Sequence, residues 1–132
     1  MVDPRAMPPP RDGSEPVRVL FVCSRNQWRS PTAERVVRAW PGVSARSAGT
    51  ARTARVRVSE RSLAWATVVM VMEKRHREQL VERFGPPQRP VVVLDVPDQW
   101  EADDPELVAL LEARIAEALA ALRETPDDRP PA

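Results

Sequence analysis

Val17-Arg18-Val19-Leu20-Phe21-Val22-Cys23-Ser24-Arg25-Asn26-Gln27-Trp28-Arg29-Ser30-Pro31 is the stretch on which the fold turns. Its first six residues are a short apolar run rich in β-branched side chains, which predicts a buried strand. The run stops at Cys23 and polar residues follow. From Ser30-Pro31 the pattern changes: proline suits a helix's first turn, and Ala33, Val36, Val37 and Trp40 recur at helical spacing until Pro41-Gly42 ends the repeat. The segment carrying Cys23 is therefore a loop that joins a strand to a helix.

The same alternation continues to the end of the core. Residues 43–48, 67–72 and 91–94 read as further strands. Ser59 caps a short helix carrying Leu63 and Ala66, and a charged helix is expected over residues 73–84. Asp103 or Asp104 caps, and Pro105 starts, a last helix whose Leu107, Leu111, Ile115, Ala118 and Leu122 form one apolar stripe. Trp40 and Trp65 are expected in the core. Apolar strands alternating with amphipathic helices predict an α/β fold, a parallel sheet with helices on both faces. Ligands of such sheets sit at the carboxyl ends of the strands, where Cys23 and the residues after Leu94 both fall.

Composition narrows the class. The chain has 132 residues with a single cysteine, so an internal disulfide is excluded and the expected compartment is the reducing cytoplasm. No apolar run is long enough to span a bilayer, and the start lacks an apolar signal core, so no membrane is expected as a partner. A net charge of +1 argues against a general nucleic-acid binder. The charge is unevenly spread: residues 1–89 carry 17 basic and 8 acidic side chains, residues 90–132 carry 3 and 11. Six arginines and no acid lie between Glu34 and Glu60, a field suited to an anionic substrate. Eight of the 15 prolines lie in residues 1–16 and 125–132, which lack hydrophobic periodicity. The expected organisation is a disordered Pro-rich tail over 1–16, one domain over 17–123 and a second disordered tail over 124–132. The expected assembly is a monomer.

Arg29 follows Cys23 by six residues. A loop wrapped around a tetrahedral oxyanion turns its backbone N–H groups inward, and the helix that follows adds the partial positive charge of its N-terminus. Arg29 can close that ring with a two-pronged guanidinium grip, which lysine cannot copy. Cys23 sits at the bottom, where the same donors favour a nucleophilic thiolate, and Ser30 can donate to its sulfur. Asn26 tolerates left-handed torsions and is assigned to loop shape. Trp28 and Trp100 are expected to flank the mouth as flat apolar walls for an aryl group. One cysteine, one histidine and no tight carboxylate cluster predict no metal, and no cofactor is expected. His76, on its charged helix four residues before Leu80, is expected to be a partly buried or surface histidine and not a catalytic one.

The run from Val19 to Glu34 resembles the phosphate-binding signature of the low-molecular-weight protein tyrosine phosphatases. Ser47-Ala48-Gly49-Thr50, the strand and helix around Val71-Met72-Glu73, and Val96-Pro97-Asp98-Gln99-Trp100 appear in the family's order. The resemblance implies a four-stranded parallel sheet, metal-free hydrolysis through a cysteinyl-phosphate and an aspartate general acid on a late loop. It implies Cys23, Arg29 and Asp98 as catalytic residues. Ser24, Arg25, Asn26, Gln27, Trp28, Ser30 and Trp100 are then the substrate-binding set. The implied partner is a phosphorylated protein, by default phosphotyrosine, or a small phosphoester.

Four aspartates compete for the acid. Asp103 and Asp104 suit helix capping and Asp95 suits the turn after its strand, while Asp98 lies on the loop proper after Pro97. The chain departs from the family at Arg25, where glycine is common, and at Trp28, where many members carry a second cysteine. The stretch between Thr50 and Ser59 is also short, which removes part of the family's pocket wall. A small-thiol-dependent arsenate reductase and a non-catalytic phosphate-binding module are the alternative readings.

Overall fold

The computed structural model describes residues 16–124. Four strands, β1 (Val17–Cys23), β2 (Val43–Gly49), β3 (Val68–Val71) and β4 (Val91–Val93), alternate with four helices, α1 (Arg29–Val37), α2 (Glu60–Trp65), α3 (Lys74–Phe84) and α4 (Pro105–Glu124). All strand pairs are parallel, in the order β2-β1-β3-β4. The sequence predicts these elements to within two residues at their ends, except that α1 stops at Val37, three residues before the expected Trp40. Cys23 and Gly49 lie inside their strands because they face one another at the last rung of the β1–β2 ladder. The tails expected over 1–16 and 124–132 lie, but for one residue each, outside the described residues.

Strand alternation divides the core in two. Val19 and Phe21 of β1 and Met70 of β3 point to the face covered by α1 and α4, where they meet Ala33, Val37, Leu107, Leu111 and Ile115. Leu20, Val22, Val69 and Val71 point to the other face, against Leu80 of α3 and Leu63 of α2. Phe21, Leu20, Met70, Leu107 and Leu111 are wholly buried, and each such side chain contributes about 1.5–3 kcal/mol by leaving water. The apolar spacing seen in α4 is thus the spacing that seats it on the sheet.

Local chemistry sets the helix starts. Ser59 accepts from the Ser62 backbone N–H while Ser62 Oγ accepts from the Ser59 N–H, a reciprocal cap for a helix of only six residues. Asp104 Oδ1 accepts from the Glu106 N–H and so caps α4, whereas Asp103 adopts a positive φ of 63° and pairs with Arg35. Trp65 packs against the second core cluster from its edge, half-buried, with the Arg46 guanidinium 4.3 Å above the ring.

The chain leaves β1 toward β2 on one side and returns past it to β3 on the other. The carboxyl ends of β1 and β3 therefore border a crevice between loops that diverge, the place where such sheets hold ligands.

Candidate active site

Cys23 ends β1 directly beside that crevice, and the loop over residues 24–28 folds back over it. The shape is imposed largely by the next segment of chain. The carbonyls of Cys23, Ser24 and Arg25 accept from the backbone N–H groups of Thr50 (3.0 Å), Ala51 (2.8 Å) and Arg55 (3.0 Å). The Asn26 carbonyl accepts from Arg55 Nε at 3.2 Å. Four successive carbonyls are thus held on the outer side, which leaves the intervening amides for the inner side, as an anion nest requires. The short stretch after Thr50, expected only as a truncated wall, is the buttress that holds the loop. Gly49 is required for this contact: a Cβ there would lie 2.5 Å from the Ser24 carbonyl oxygen and 2.7 Å from Ala54 Cβ.

Asn26 takes a φ of 58°, inside the left-handed region that asparagine tolerates, and is wholly buried. Its N–H donates to Cys23 Sγ at 3.3 Å and its Nδ2 to Ser30 Oγ at 2.9 Å. Ser30 Oγ in turn stands 3.0 Å from the sulfur. The role of loop shape read for Asn26 is what this geometry describes, and the sulfur is ringed by polar groups although only 3% exposed.

Arg29, 2% exposed, reaches back across the loop from the first turn of α1. Its Nη1 donates to Glu73 Oε2 at 2.5 Å and to the Val96 carbonyl at 2.8 Å. With Nη1 engaged, the edge formed by Nε and Nη2 is the one left for a two-pronged grip on an oxyanion. Asp98, 48% exposed, places Oδ1 3.8 Å from Nε. Arg29 is therefore held by Glu73 and, through Val96, joined to the loop that carries the aspartate. Asp98 is the one aspartate among the described residues that lines the cleft. Asp95 is exposed with a φ of 57°, and Asp103 and Asp104 are engaged at the start of α4.

The cleft over the sulfur has a volume of about 430 Å³. Cys23, Ser24 and Arg29 line its floor and sides, Arg25, Gln27 and Trp28 come from the exposed part of the loop, and Arg75 and Asp98 face them from other elements. Trp28 is 42% exposed, in keeping with a place at the mouth. Trp100 is not: its partly buried indole packs against the core cluster under α1 and α4, because the chain after Asp98 turns back toward that core. A second groove, of about 310 Å³, lies between α2 and α3 against the sheet and is lined by Leu63, Leu80, Val81 and Phe84, with none of the reactive side chains. Among the described residues, no three His, Cys, Asp or Glu side chains cluster as a metal site needs.

Two participants escaped the sequence reading, and both belong to the start of α3. Glu73 precedes the helix and holds Arg29. His76, expected to be partly buried or at the surface, is wholly buried: its Nδ1 accepts from the Glu73 N–H at 3.1 Å and its Nε2 lies 3.0 Å from Ser24 Oγ. Two hydrogen bonds from Arg75, with that from Arg29, hold the Glu73 carboxylate down at about 2 despite partial burial, which works the other way. Burial, reinforced by the charges of Arg29 and Arg75, pushes His76 down to about 4.

Both shifts act on stability with the same sign. Between about 6.5 and 4 the unfolded chain binds a proton at His76 that the folded chain refuses, and between about 4.5 and 2 it does so at Glu73, so stability falls as pH falls. For the buried histidine the loss amounts to about 3 kcal/mol; Glu73, about a third exposed, contributes less. Urea unfolding at pH 7, 5.5 and 4 should show the decline, and His76→Gln should flatten it over that interval. A wild-type stability that stays level from pH 7 to 4 would contradict the assignment.

No protein-family model and no curated protein sequence matches the chain. Solved structures do. The chain is similar to the YwlE arginine phosphatase from Geobacillus stearothermophilus, with a TM-score of 0.63 and 24% identity over 89% of this chain and 100% of that one. It is similar to a low-molecular-weight phosphotyrosine phosphatase from Vibrio cholerae, with a TM-score of 0.63 and 18% identity over 83% and 99% of the two chains. For the low-molecular-weight protein tyrosine phosphatase from Streptococcus pyogenes the values are 0.67 and 19%, over 80% and 93%. The fold is that of the low-molecular-weight phosphatases.

Proposed function

We propose that this chain, with the fold of those phosphatases, is itself a phosphomonoesterase that works through a cysteinyl-phosphate, with protein phosphotyrosine as its substrate class. One observation carries the reading: a sulfur that accepts from the Asn26 N–H and stands against Ser30 Oγ lies in the same cleft as the open edge of Arg29 and the Asp98 carboxyl.

The chemistry follows from those positions. The phosphoryl group enters the nest with two oxygens on the Nε and Nη2 edge of Arg29 and the remaining charge on the loop amides, so that negative charge is met by donors that need no reorganisation. Cys23 Sγ attacks phosphorus, an S–P bond forms, and the bond from phosphorus to the ester oxygen breaks. Asp98 gives its proton to that departing oxygen. In the second step Asp98 takes a proton from water as the water oxygen attacks phosphorus. The S–P bond breaks, inorganic phosphate leaves, and Ser30 donates to the sulfur that regains its charge. Glu73 and Val96 keep Arg29 aimed throughout.

The rim supports the choice of substrate. Two of the similar structures are described as tyrosine or phosphotyrosine phosphatases and one as an arginine phosphatase. Here the cleft presents Trp28 as a flat wall and the guanidinium groups of Arg25 and Arg75. An aromatic ring stacks on such a wall, whereas a phosphorylated guanidine would bring further positive charge between two arginines.

Hydrolysis of aryl phosphates in the presence of a chelator tests the reading, with Asp98→Asn as the probe. Loss of the proton donor should lower kcat/KM for phenyl or alkyl leaving groups by about 10²–10³-fold and that for p-nitrophenyl phosphate far less. Equal losses for good and poor leaving groups would assign the proton to another residue. Phosphate binding without turnover would leave only a binding module, and arsenate reduction dependent on a small thiol would indicate the reductase.

A further inference from the structure

His76 and Ser24 lie far apart in the chain and meet beneath the loop, in a contact that the chemistry of the Cys23–Arg29 motif does not require. The hydrogen bonds around the ring fix its proton. The Glu73 backbone N–H is an obligatory donor and points at Nδ1, so Nδ1 carries a lone pair. A neutral imidazole in that arrangement has its hydrogen on Nε2, which faces Ser24 Oγ at 3.0 Å. The low affinity of His76 for a second proton keeps it in this state across the neutral range. Ser24 Oγ must then accept from the ring, and a hydroxyl that accepts there has its own proton to place elsewhere. No other partner for the Ser24 hydroxyl exists among the described residues, and Ser24 lines the cleft over the sulfur.

We propose that His76 is a positioning residue for the phosphate site: locked by the Glu73 N–H, it donates to Ser24 Oγ and so turns the Ser24 hydroxyl proton toward a phosphoryl oxygen in the cleft. The inference rests on the reading of that cleft as a phosphate site. It adds a side-chain donor to the backbone ring, set from outside the loop by α3. His76 also ties the two sides of the site together, since the Glu73 that fixes its tautomer is the residue that holds Arg29.

The ring's tautomer and a double-mutant cycle test this together. Long-range ¹⁵N–¹H correlation spectra of the wild-type protein at pH 7 should show the Nε2–H form of His76; the Nδ1–H form would overturn the proposal. Binding of inorganic phosphate is then measured by titration calorimetry, which needs no turnover. Ser24→Ala should weaken it about tenfold, the effect of one hydrogen bond to a charged group. His76→Asn, which still offers an acceptor to the Glu73 N–H but no donor to Ser24, should weaken it by a similar factor alone and add nothing in the Ser24→Ala background. His76→Gln, which can place an N–H near the lost Nε2, should restore most of the affinity. Additive losses, or a loss at His76 that glutamine does not repair, would make the histidine merely structural and overturn the proposal, as would a wild-type protein that binds no phosphate. If phosphate binds with the expected cycle but no ester is hydrolysed, the enzyme reading fails and the positioning role stands.

Discussion

Cys23→Ser is expected to abolish ester hydrolysis, lowering kcat by at least about 10⁴-fold, while leaving the protein folded and able to bind phosphate. The expectation follows from the division of labour in the cleft. Cys23 is the chain's single cysteine, so no second thiol can take over the attack. A serine oxygen fits where the sulfur sits, close to the Asn26 N–H and Ser30 Oγ, so the nest, Arg29 and the buttress from residues 50–55 remain in place. The hydroxyl, however, has no base beside it to remove its proton. Steady-state hydrolysis of p-nitrophenyl phosphate and calorimetric phosphate binding, made on the same preparation, check both halves. Residual turnover within a hundredfold of wild type would place the nucleophile elsewhere.

The second large effect belongs to Arg29. In Arg29→Lys the charge is kept, but one ammonium cannot satisfy Glu73, the Val96 carbonyl and two phosphate oxygens at once. The expected loss in kcat/KM is about 10³-fold. A stability loss of about 2–3 kcal/mol accompanies it, because buried polar groups are left without partners. Denaturant unfolding with and without phosphate separates the two: phosphate should stabilise wild type and barely affect the variant. A lysine variant within tenfold of wild-type kcat/KM would show that the fork geometry is dispensable.

The legible parts of this chain were those in which side chains carry the signal. Apolar runs rich in β-branched residues announce β1, β3 and β4, whereas β2, Val-Ser-Ala-Arg-Ser-Ala-Gly, carries a weaker signal; the break from strand pattern to Ser30-Pro31 locates the loop and with it Cys23 and Arg29. Asn26 was readable because few residues accept a positive φ. The rest was hidden for identifiable reasons. The buttress over residues 50–55 works chiefly through backbone N–H groups, which any residue but proline supplies, so nothing in its side chains marks it. His76 sits in the charged run from Glu73 to Glu78, which reads as a solvated face. The available clue was its spacing of four from Leu80, which puts both on the buried side of α3. Glu73 closes the strand-to-helix junction after β3 beside the same crevice as Cys23, a position more informative than its residue type. Trp100 misled because an aromatic two residues after the aspartate suits a pocket mouth as well as a core, and only the return of the chain decides between them.

The most direct measurement is mass spectrometry of Asp98→Asn protein quenched in acid within milliseconds of mixing with p-nitrophenyl phosphate, since loss of the base that activates water should let the intermediate accumulate. One added phosphoryl group is expected on the peptide containing Cys23, absent after the substrate is exhausted. A protein that turns over substrate with no phosphoryl group on that sulfur at any time would contradict it.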